Sequence, residues 1–283
     1  MMQAQDQPGG GTDATTQQEQ APIFQMEKIC KHFGGVQAAV DVSIALRARE
    51  VVALVGNNGA GKSTVLKIAS GVIEPDSGKL YLDGKQVELH GPREARALGM
   101  ETVPQELSLA PHLSVAANMF LGREIVRGWG PFRMLNKSMM RRRTAELIGG
   151  FGIHIPNLDG RVFDLSGGQQ QGVAIGRALA WGSRVVVLDE PTAALGIEET
   201  ARVESTFLKM REAGVGVLLV SHNLDQVFRV SDRIYVLRRG RIVGERMTSA
   251  TTADEIVGLI TGATAGTVEV GETGEGVDNG YAQ

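Results

Sequence analysis

The stretch Gly56-Asn57-Asn58-Gly59-Ala60-Gly61-Lys62-Ser63-Thr64 decides the fold of this chain. It follows an apolar run at 50–55 that is rich in β-branched residues and predicts a strand. Residues 62–70 continue with the apolar spacing of a helix. Strand, glycine-rich loop and helix in this order are the context in which the pattern G-x-x-x-x-G-K-[ST] binds phosphate. The stretch therefore predicts a phosphate-binding loop in an α/β fold.

The residue types of this loop suit a nucleotide. Glycines let backbone N–H groups approach a phosphate, and the helix N-terminus adds its positive dipole end. We expect Lys62 to reach the β- and γ-phosphates and the Ser63 hydroxyl to bind Mg²⁺. The bare pattern arises by chance in a chain of this length about one time in a hundred, and the flanking strand and helix lower that chance. The predicted nucleotide-binding residues are Gly56, Asn57, Asn58, Gly59, Ala60, Gly61, Lys62, Ser63 and Thr64.

Two adjacent acids follow a second apolar run. Residues 185–188 show no alternation and predict a central strand of a parallel sheet, with Asp189 and Glu190 at its carboxyl end. Ligands of open α/β sheets bind at that edge, and paired carboxylates are costly there without a cation or solvent. Asp189 suits Mg²⁺, directly or through water, and Glu190 suits the polarisation of an attacking water. Taken alone, a solvated strand end that caps the next helix is the favoured interpretation.

A histidine ends a third apolar run. Residues 215–220 predict a strand, and Ser221 and His222 follow it. A lone histidine is more often a surface or core residue than a catalyst. Because three predicted strands end in polar groups, a functional role of His222 at the same sheet edge is favoured more than for a lone histidine. His222 could then hydrogen-bond a γ-phosphate and sense its loss.

A second glycine-rich helix start lies at Leu165-Ser166-Gly167-Gly168-Gln169. Ser-x-x-Gln is a capping box, which needs no ligand. Two intervening glycines add little to capping, but they suit a phosphate that approaches the helix end closely. We expect the helix itself at 169–181. The further predicted nucleotide-binding residues are Ser166, Gly167, Gly168 and Gln169.

Together these motifs resemble the ATPase subunit of an ABC transporter, over roughly residues 23–262. The resemblance identifies residues 56–64 as the Walker A motif, 165–169 as the signature and 185–189 as the Walker B motif. It identifies His222 as the switch histidine. It makes Gln105 of Val103-Pro104-Gln105 a coupling glutamine with a catalytic and metal-binding role, and Phe33 an aromatic that stacks on adenine. The implied catalytic residues are Glu190, His222 and Gln105, and the implied metal ligands are Ser63, Gln105 and Asp189, with ATP and Mg²⁺ as cofactors.

The resemblance also implies a fold and partners. The fold is a P-loop NTPase (RecA-like) α/β core with an antiparallel β subdomain and an inserted helical subdomain at about 106–170. Residues 105–109 and 118–124 are similar to importers of ribose, xylose, galactose and fructose type, in a single-cassette form. Implied partners are a second copy of the chain, an integral membrane permease and, indirectly, a periplasmic or extracellular sugar-binding protein. The implied location is the cytoplasmic face of the membrane.

Two features depart from the family pattern. The family usually has an Asp after the loop that follows Walker B, where this chain has Gly196. That Asp helps one site sense the other, so the substitution bears on communication between sites. The signature helix also carries Gly172 and Gly176, where larger residues are common. Each glycine lowers helix propensity by about 1 kcal/mol.

Composition limits the remaining function classes. The formal net charge is −3, and no basic block suggests a nucleic-acid footprint. The single Cys30 excludes an intramolecular disulfide and suits a reducing cytoplasm. No apolar stretch approaches the roughly 20 residues needed to span a bilayer, so we expect any membrane role to come through a partner.

The chain divides into one domain and two tails. We expect residues 1–21 and the acidic residues 263–283 to be disordered, and 22–262 to form the nucleotide-binding domain. Within it, 105–165 predicts mainly helix with a Gly/Pro-rich interruption, and 233–245 predicts a hairpin that turns at Arg239-Gly240.

Two other functions compete with transport. One is a soluble ABC ATPase that acts in translation or DNA repair. Such proteins usually have paired cassettes, coiled-coil insertions or zinc modules, and none is visible in this sequence. The other is a P-loop kinase or GTPase of another class, against which the stretch at 165–169 argues.

Overall fold

A computed structural model describes residues 21–129 and 132–263 of the 283-residue chain. The tails predicted at 1–21 and 263–283 lie outside the described residues, apart from Ala21 and Ala263. The predicted disorder of these tails stays a prediction.

The described residues form a mixture of strands and helices. The strands are β1 (Phe24–Phe33), β2 (Val36–Leu46), β3 (Val51–Val55), β4 (Ser77–Leu82), β5 (Lys85–Val87), β6 (Met100–Val103), β7 (Val126–Arg127), β8 (Met134–Leu135), β9 (Val185–Asp189), β10 (Gly216–Val220), β11 (Arg233–Arg238) and β12 (Arg241–Met247). The helices are α1 (Lys62–Ala69), α2 (Pro92–Ala97), α3 (Val115–Met119), α4 (Lys137–Gly150), α5 (Gly167–Leu179), α6 (Ile197–Glu212), α7 (Leu224–Val230) and α8 (Ala253–Thr261).

A six-stranded sheet in the order β12-β11-β3-β10-β9-β6 forms the centre of the fold. Strands β11, β3, β10, β9 and β6 pair in parallel with their neighbours. Strand β12 pairs antiparallel with β11 at one edge of the sheet. Strands β3 and β10 are buried along their whole length, which their unbroken Val/Leu sequences predict for a parallel sheet. The carboxyl ends of β3, β10, β9 and β6 therefore meet at one edge of the sheet.

The two faces of this sheet are covered differently. A four-stranded antiparallel sheet, β2-β1-β4-β5, and helix α1 share one core with one face. Phe24 and Met26 of β1 belong to this core together with Val65 and Ile68 of α1. Helices α5 and α6 pack in a second core, where Phe207 is fully buried. The fold class predicted from the sequence, a P-loop α/β core with an antiparallel flank, is confirmed.

The segment 105–165 contains less helix than the sequence predicts. Its α-helices are α3 and α4, and strands β7 and β8 form a small hairpin between them. Gly128 has a φ of 97°, a left-handed conformation that ends regular structure. Helices α3, α4 and α5 share a separate small core around Met119, Ile148 and Val173. The segment is thus a subdomain with its own core, partly helical and partly loop.

The predicted boundaries of α5 are displaced by two residues. We expected this helix at 169–181, and it runs from Gly167 to Leu179. Ser166 caps it, so the two glycines that follow occupy its first turn rather than a loop. The hairpin predicted to turn at Arg239-Gly240 is confirmed by β11 and β12.

Helices of the described part are short or polar. No helix there is long and apolar enough to cross a membrane.

Candidate active site

The phosphate-binding loop joins β3 to α1, as the sequence predicts. Gly56 has a φ of 156°, and a Cβ there would collide with the backbone carbonyl of Leu237. Gly61 caps α1 with a φ of 106°, and a Cβ there would collide with the carbonyl of Ala38. The two glycines are therefore required by the close approach of neighbouring backbone. The N–H groups of Thr64 and Val65 donate to Gly61 O at 3.0 Å, and the N–H groups that precede them lack a carbonyl one turn earlier in the helix.

Lys62 is held over this loop by backbone oxygens. Its Nζ donates to the carbonyls of Gly56 at 2.8 Å and Asn57 at 3.1 Å, and the residue is only 8% exposed. Burial lowers the pKa of Lys62, while the charges of Glu190 and Asp189 act against this shift. A buried ammonium with two nearby carboxylates is suited to a polyanionic ligand that shares their space.

Asp189 and Glu190 lie at the carboxyl end of β9. Burial raises the pKa of Asp189, and the adjacent Glu190 raises it further, against the opposing effect of Lys62 and Lys67. Glu190 has a φ of 47°, which is uncommon outside glycine, and its N–H donates to Val220 O at 2.9 Å. This left-handed turn directs the chain away from the strand immediately after Asp189. A desolvated carboxylate pair at a sheet edge is the setting in which a bound cation stabilises both charges.

His222 contacts Glu190 directly. Its Nδ1 lies 2.7 Å from Glu190 Oε2, and because an ionised carboxylate only accepts, Nδ1 is the donor. The Glu190 side chain is 14% exposed and that of His222 is 64% exposed, so the histidine covers the acid on the solvent side. The pair is brought together because β9 and β10 are parallel neighbours, with Asp189 in register with Val220.

The phosphate loop, the two acids and the histidine line one open groove of about 1190 Å³. Gln105, which follows β6 at the same sheet edge, also lies in it. The predicted site residues that line the groove are Gly56, Asn57, Asn58, Gly59, Gly61, Lys62, Ser63, Thr64, Gln105, Asp189, Glu190 and His222. Ala60 lies at the other side of the loop, in an adjoining groove with Arg238, Arg239 and Arg241.

Phe33 lies beside this groove rather than in its wall. It ends β1, it is 49% exposed, and Lys31 Nζ lies 5.8 Å from its ring centroid. Its partner across the hairpin, Val36, lines the groove together with Gln37. The base-stacking role of Phe33 stays a prediction.

Ser166 to Gln169 are not brought to the phosphate loop. Ser166 Oγ accepts from Gln169 N at 3.3 Å, and Gln169 Oε1 accepts from Ser166 N at 3.0 Å, which confirms the capping box. Among the described residues, these four line no part of the phosphate-loop groove, and three of them line a separate cavity of about 70 Å³. Within one chain the two glycine-rich helix starts therefore belong to different surfaces.

Several groove residues have no recognisable signal in the sequence. Val257, Ile260 and Thr261 of α8 line it, although α8 is distant along the chain. The hairpin turn at Gly240 also reaches the loop, since Gly240 N donates to Ala60 O at 2.9 Å. A local pattern could predict the helix and the hairpin but not their contact with the loop.

Comparison with known proteins decides the family. The family model described as ABC transporter matches residues 39–193, from β2 to the turn after Walker B. The chain belongs to the ABC transporter family. Its members that bind ATP are ATPases, and this chain is an ATPase subunit of that kind.

Two curated relatives match nearly their whole length. One is 40% identical over 88% of this chain and 98% of its own: "Xylose/arabinose import ATP-binding protein XylG" from Sulfolobus acidocaldarius. The other is 43% identical over 86% of this chain and 95% of its own: "Fructose import ATP-binding protein FrcA" from Rhizobium meliloti. Both names describe import of a sugar. Nothing in the comparisons supports a role in translation or DNA repair.

Solved structures of the family share the fold. The ADP conformation of MJ1267, "an ATP-binding cassette of an ABC transporter", has a TM-score of 0.72 and 27% identity, over 85% of this chain and 95% of that one. The dimeric structure of MJ0796, a bacterial ABC transporter cassette, has a TM-score of 0.67 and 26% identity, over 80% of this chain and 98% of that one. These neighbours place nucleotide in such cassettes and record one as a dimer.

Proposed function

We propose that this chain hydrolyses ATP to power the uptake of a sugar through a partner membrane permease. The observation that carries the proposal is the convergence of Lys62, Asp189, Glu190, His222 and Gln105 on one groove at the phosphate loop. Lys62 begins α1, and the other four residues come from the carboxyl ends of the neighbouring strands β6, β9 and β10, so residues far apart in sequence meet in one groove. The printed names of the two relatives support a sugar as the cargo.

Nucleotide binding would use the loop and its lysine. The phosphates would lie against the backbone N–H groups at the start of α1, where the helix dipole favours an anion. Lys62 Nζ, now bonded to two loop carbonyls, is close enough to the same space to reach the β- and γ-phosphates. Phe33 would stack on the base from the end of β1.

The groove also fits Mg²⁺. Ser63, Gln105 and Asp189 offer oxygen donors in one groove, which is the chemistry that Mg²⁺ prefers. Among the described residues, no group of three or more His, Cys, Asp or Glu could hold a metal alone. A Mg²⁺ site shared with phosphate oxygens needs no such group. The ion would supply positive charge to the phosphates, and burial of the Asp189 carboxylate would be offset by it.

Glu190 is the residue that we propose directs the hydrolytic water. We assign it the role of accepting a hydrogen bond, and then the proton, from the water whose oxygen attacks the terminal phosphorus. The bond from that phosphorus to the bridging oxygen breaks, and ADP and phosphate result. His222 holds the Glu190 carboxylate through Nδ1 at 2.7 Å and has its ring exposed towards the groove. It would therefore contact the γ-phosphate and report its loss.

A complete site would need two chains. Ser166, Gly168 and Gln169 line a cavity apart from the phosphate loop, so we propose that a second copy presents this segment to the bound nucleotide. A closed two-fold arrangement would make two equal sites from two identical chains. The dimeric neighbour supports this assembly.

The proposed location and partners follow from transport. The chain would lie on the cytoplasmic face of the membrane, bound to a permease that receives the sugar from an external sugar-binding protein. We propose no nucleic-acid partner, because the chain has a net charge of −3 and lacks the basic patch that the phosphate backbone of a nucleic acid requires. The two relatives name different sugars, so the cargo of this chain stays open within that class.

Reconstitution tests the proposal. The chain would be purified with a candidate permease and placed in lipid vesicles that contain an external sugar-binding protein. We expect ATP-dependent uptake of one labelled sugar among xylose, arabinose, ribose, galactose and fructose, lost in Lys62→Ala. Phosphate release without uptake of any of these sugars would support the ATPase activity and contradict the proposal that the cargo is a sugar. Co-purification with ribosomes or DNA in place of a permease would favour the soluble alternative.

A further inference from the structure

The carboxylate of Glu199, in the first turn of α6, lies at the N-terminal end of α5. A Cβ built on Gly168 would lie 2.9 Å from Glu199 Cβ and 3.2 Å from Glu199 Cδ, so a glycine at this position is what permits the contact. Ser166, Gly168, Gln169 and Glu199 line the same cavity of about 70 Å³. An anionic side chain thus occupies the helix end to which the phosphate-binding role is assigned.

The donors that face this carboxylate come from two helices. The Ser166 hydroxyl and the Gly168 N–H at the start of α5 lower the pKa of Glu199, and the Gly196 N–H at the start of α6 lowers it further. Two helix N-termini, each with the positive end of its dipole, therefore converge on one ionised group. The arrangement has the form of an anion site that a side chain fills.

Glu199 also faces the start of its own helix, at Gly196. Gly196 is the N-cap of α6 and supplies no side-chain cap. Glu199 stands three residues later, where a Glu side chain bonds back to the N-cap N–H in a capping box. The Gly196 N–H and the start of α5 thus act on the same carboxylate, which lies between the loop after β9 and the signature helix.

We propose that Glu199 occupies the phosphate-binding end of α5 until the terminal phosphate of a nucleotide on a second copy of the chain displaces it. The inference rests on the shared site proposed above. Both anions require the Ser166 hydroxyl and the Gly168 N–H, and two like charges repel at that distance. Glu199 is then a positioning residue that holds these donors in place and sets the ATP concentration at which two chains associate.

The test measures association in a chain that cannot turn over. In a Glu190→Gln parent, sedimentation gives the dissociation constant of the dimer as ATP is titrated. Adding Glu199→Gln keeps the side-chain shape and an acceptor for Gly196 N–H but removes the charge. We expect a dissociation constant lower by about threefold or more, the size of a helix-terminus charge effect. The melting temperature without nucleotide should fall slightly, because the same helix termini lose a favourable anion.

A matched control is the adjacent acid, Glu198. Its side chain is 90% exposed and lies 3.7 Å from Arg202 at spacing i,i+4. Glu198→Gln removes the same charge from the same turn of α6, and we expect no change in association.

The outcomes distinguish displacement of Glu199 from a purely structural role of this residue. Tighter association with lower stability is the result that supports displacement. Weaker association together with lower stability would assign Glu199 a purely structural role and overturn the proposal, as would unchanged association. A parent that stays monomeric at saturating ATP would overturn the shared site, and this inference with it.

Discussion

At the scale of single residues, the contact between Glu190 and His222 governs the candidate chemistry. The imidazole Nδ1 and the carboxylate Oε2 are 2.7 Å apart, although the residues are 32 positions apart in sequence. The bond fixes the carboxylate beside Asp189 and leaves the outer side of the ring free for a ligand. A left-handed φ at Glu190 adds local backbone strain of the kind found at functional sites.

We expect Glu190→Gln to bind ATP normally and to lose nearly all hydrolysis. The amide cannot take a proton from the water, while the phosphate contacts of Lys62 and the loop are untouched. Loss of one positioned catalytic group typically costs about 10²–10³ in turnover. Phosphate release and nucleotide affinity, measured on one preparation, check this. Wild-type turnover in the variant would mean that Glu190 does not direct the water.

Phe33 allows a test of base recognition. The residue is 49% exposed at the end of β1. If it stacks on the base, Phe33→Ala should weaken nucleotide affinity by about 0.5–1.5 kcal/mol. Titration with ATP and thermal melting separate the two interpretations, because an ordinary packing role predicts lower stability at unchanged affinity.

At the scale of elements, helix α5 carries two glycines that weaken its intrinsic propensity. The structure supplies the reason, which is close packing. A Cβ on Gly172 would lie 2.7 Å from Ile153 Cγ2, and one on Gly176 would lie 3.2 Å from Ile148 Cγ2. The glycines let α4 and the loop after it lie against α5, so the subdomain core forms around the signature helix.

We expect Gly172→Ala to lower the melting temperature, even though alanine is the better helix former. Overpacking costs about 1–3 kcal/mol, against a gain of about 1 kcal/mol in propensity. Gly149→Ala in α4 is the matched control, because nothing lies within 4 Å of a Cβ there, and it should stabilise the chain. Adding Ile153→Ala to Gly172→Ala should recover part of the loss. A stabilising Gly172→Ala would show that the close contact is not the reason for the glycine.

At the scale of the whole molecule, the two glycine-rich helix starts of one chain lie on different surfaces. Four parallel strands bring the phosphate loop, the two acids, the histidine and the glutamine to one sheet edge, but α5 starts on another surface. Two chains related by a two-fold axis would each complete the site of the other.

Mixing two inactive variants tests this assembly. Lys62→Ala loses the phosphate contact, and Ser166→Arg blocks the start of α5, so each homodimer should be inactive. In a mixed dimer one site contains both substitutions and the other site contains neither. We therefore expect ATPase activity to reappear on mixing. A wild-type/Lys62→Ala mixed dimer shows whether one intact site turns over alone. If that control is active while the two-variant mixture is not, each chain carries its own complete site.

Local sequence patterns were sufficient for the elements that carry the site. Apolar runs without alternation predict the buried strands β3, β9 and β10, because a parallel sheet covered on both faces leaves no polar side. The glycine spacing at 56–61 predicts the phosphate loop, because only glycine tolerates the backbone approach found there. Residues 105–165 were less predictable, since short helices, a hairpin and loops share no single period.

The sequence by itself determined the family, the phosphate loop and the polar ends of the strands, because these depend on residue types at fixed local spacing. Tertiary structure alone decided which ends meet. Strand order places Asp189 next to Val220 and so brings His222 to Glu190, and helix packing places Glu199 at the start of α5. Such contacts join residues far apart along the chain, and no local spacing encodes the geometry between them.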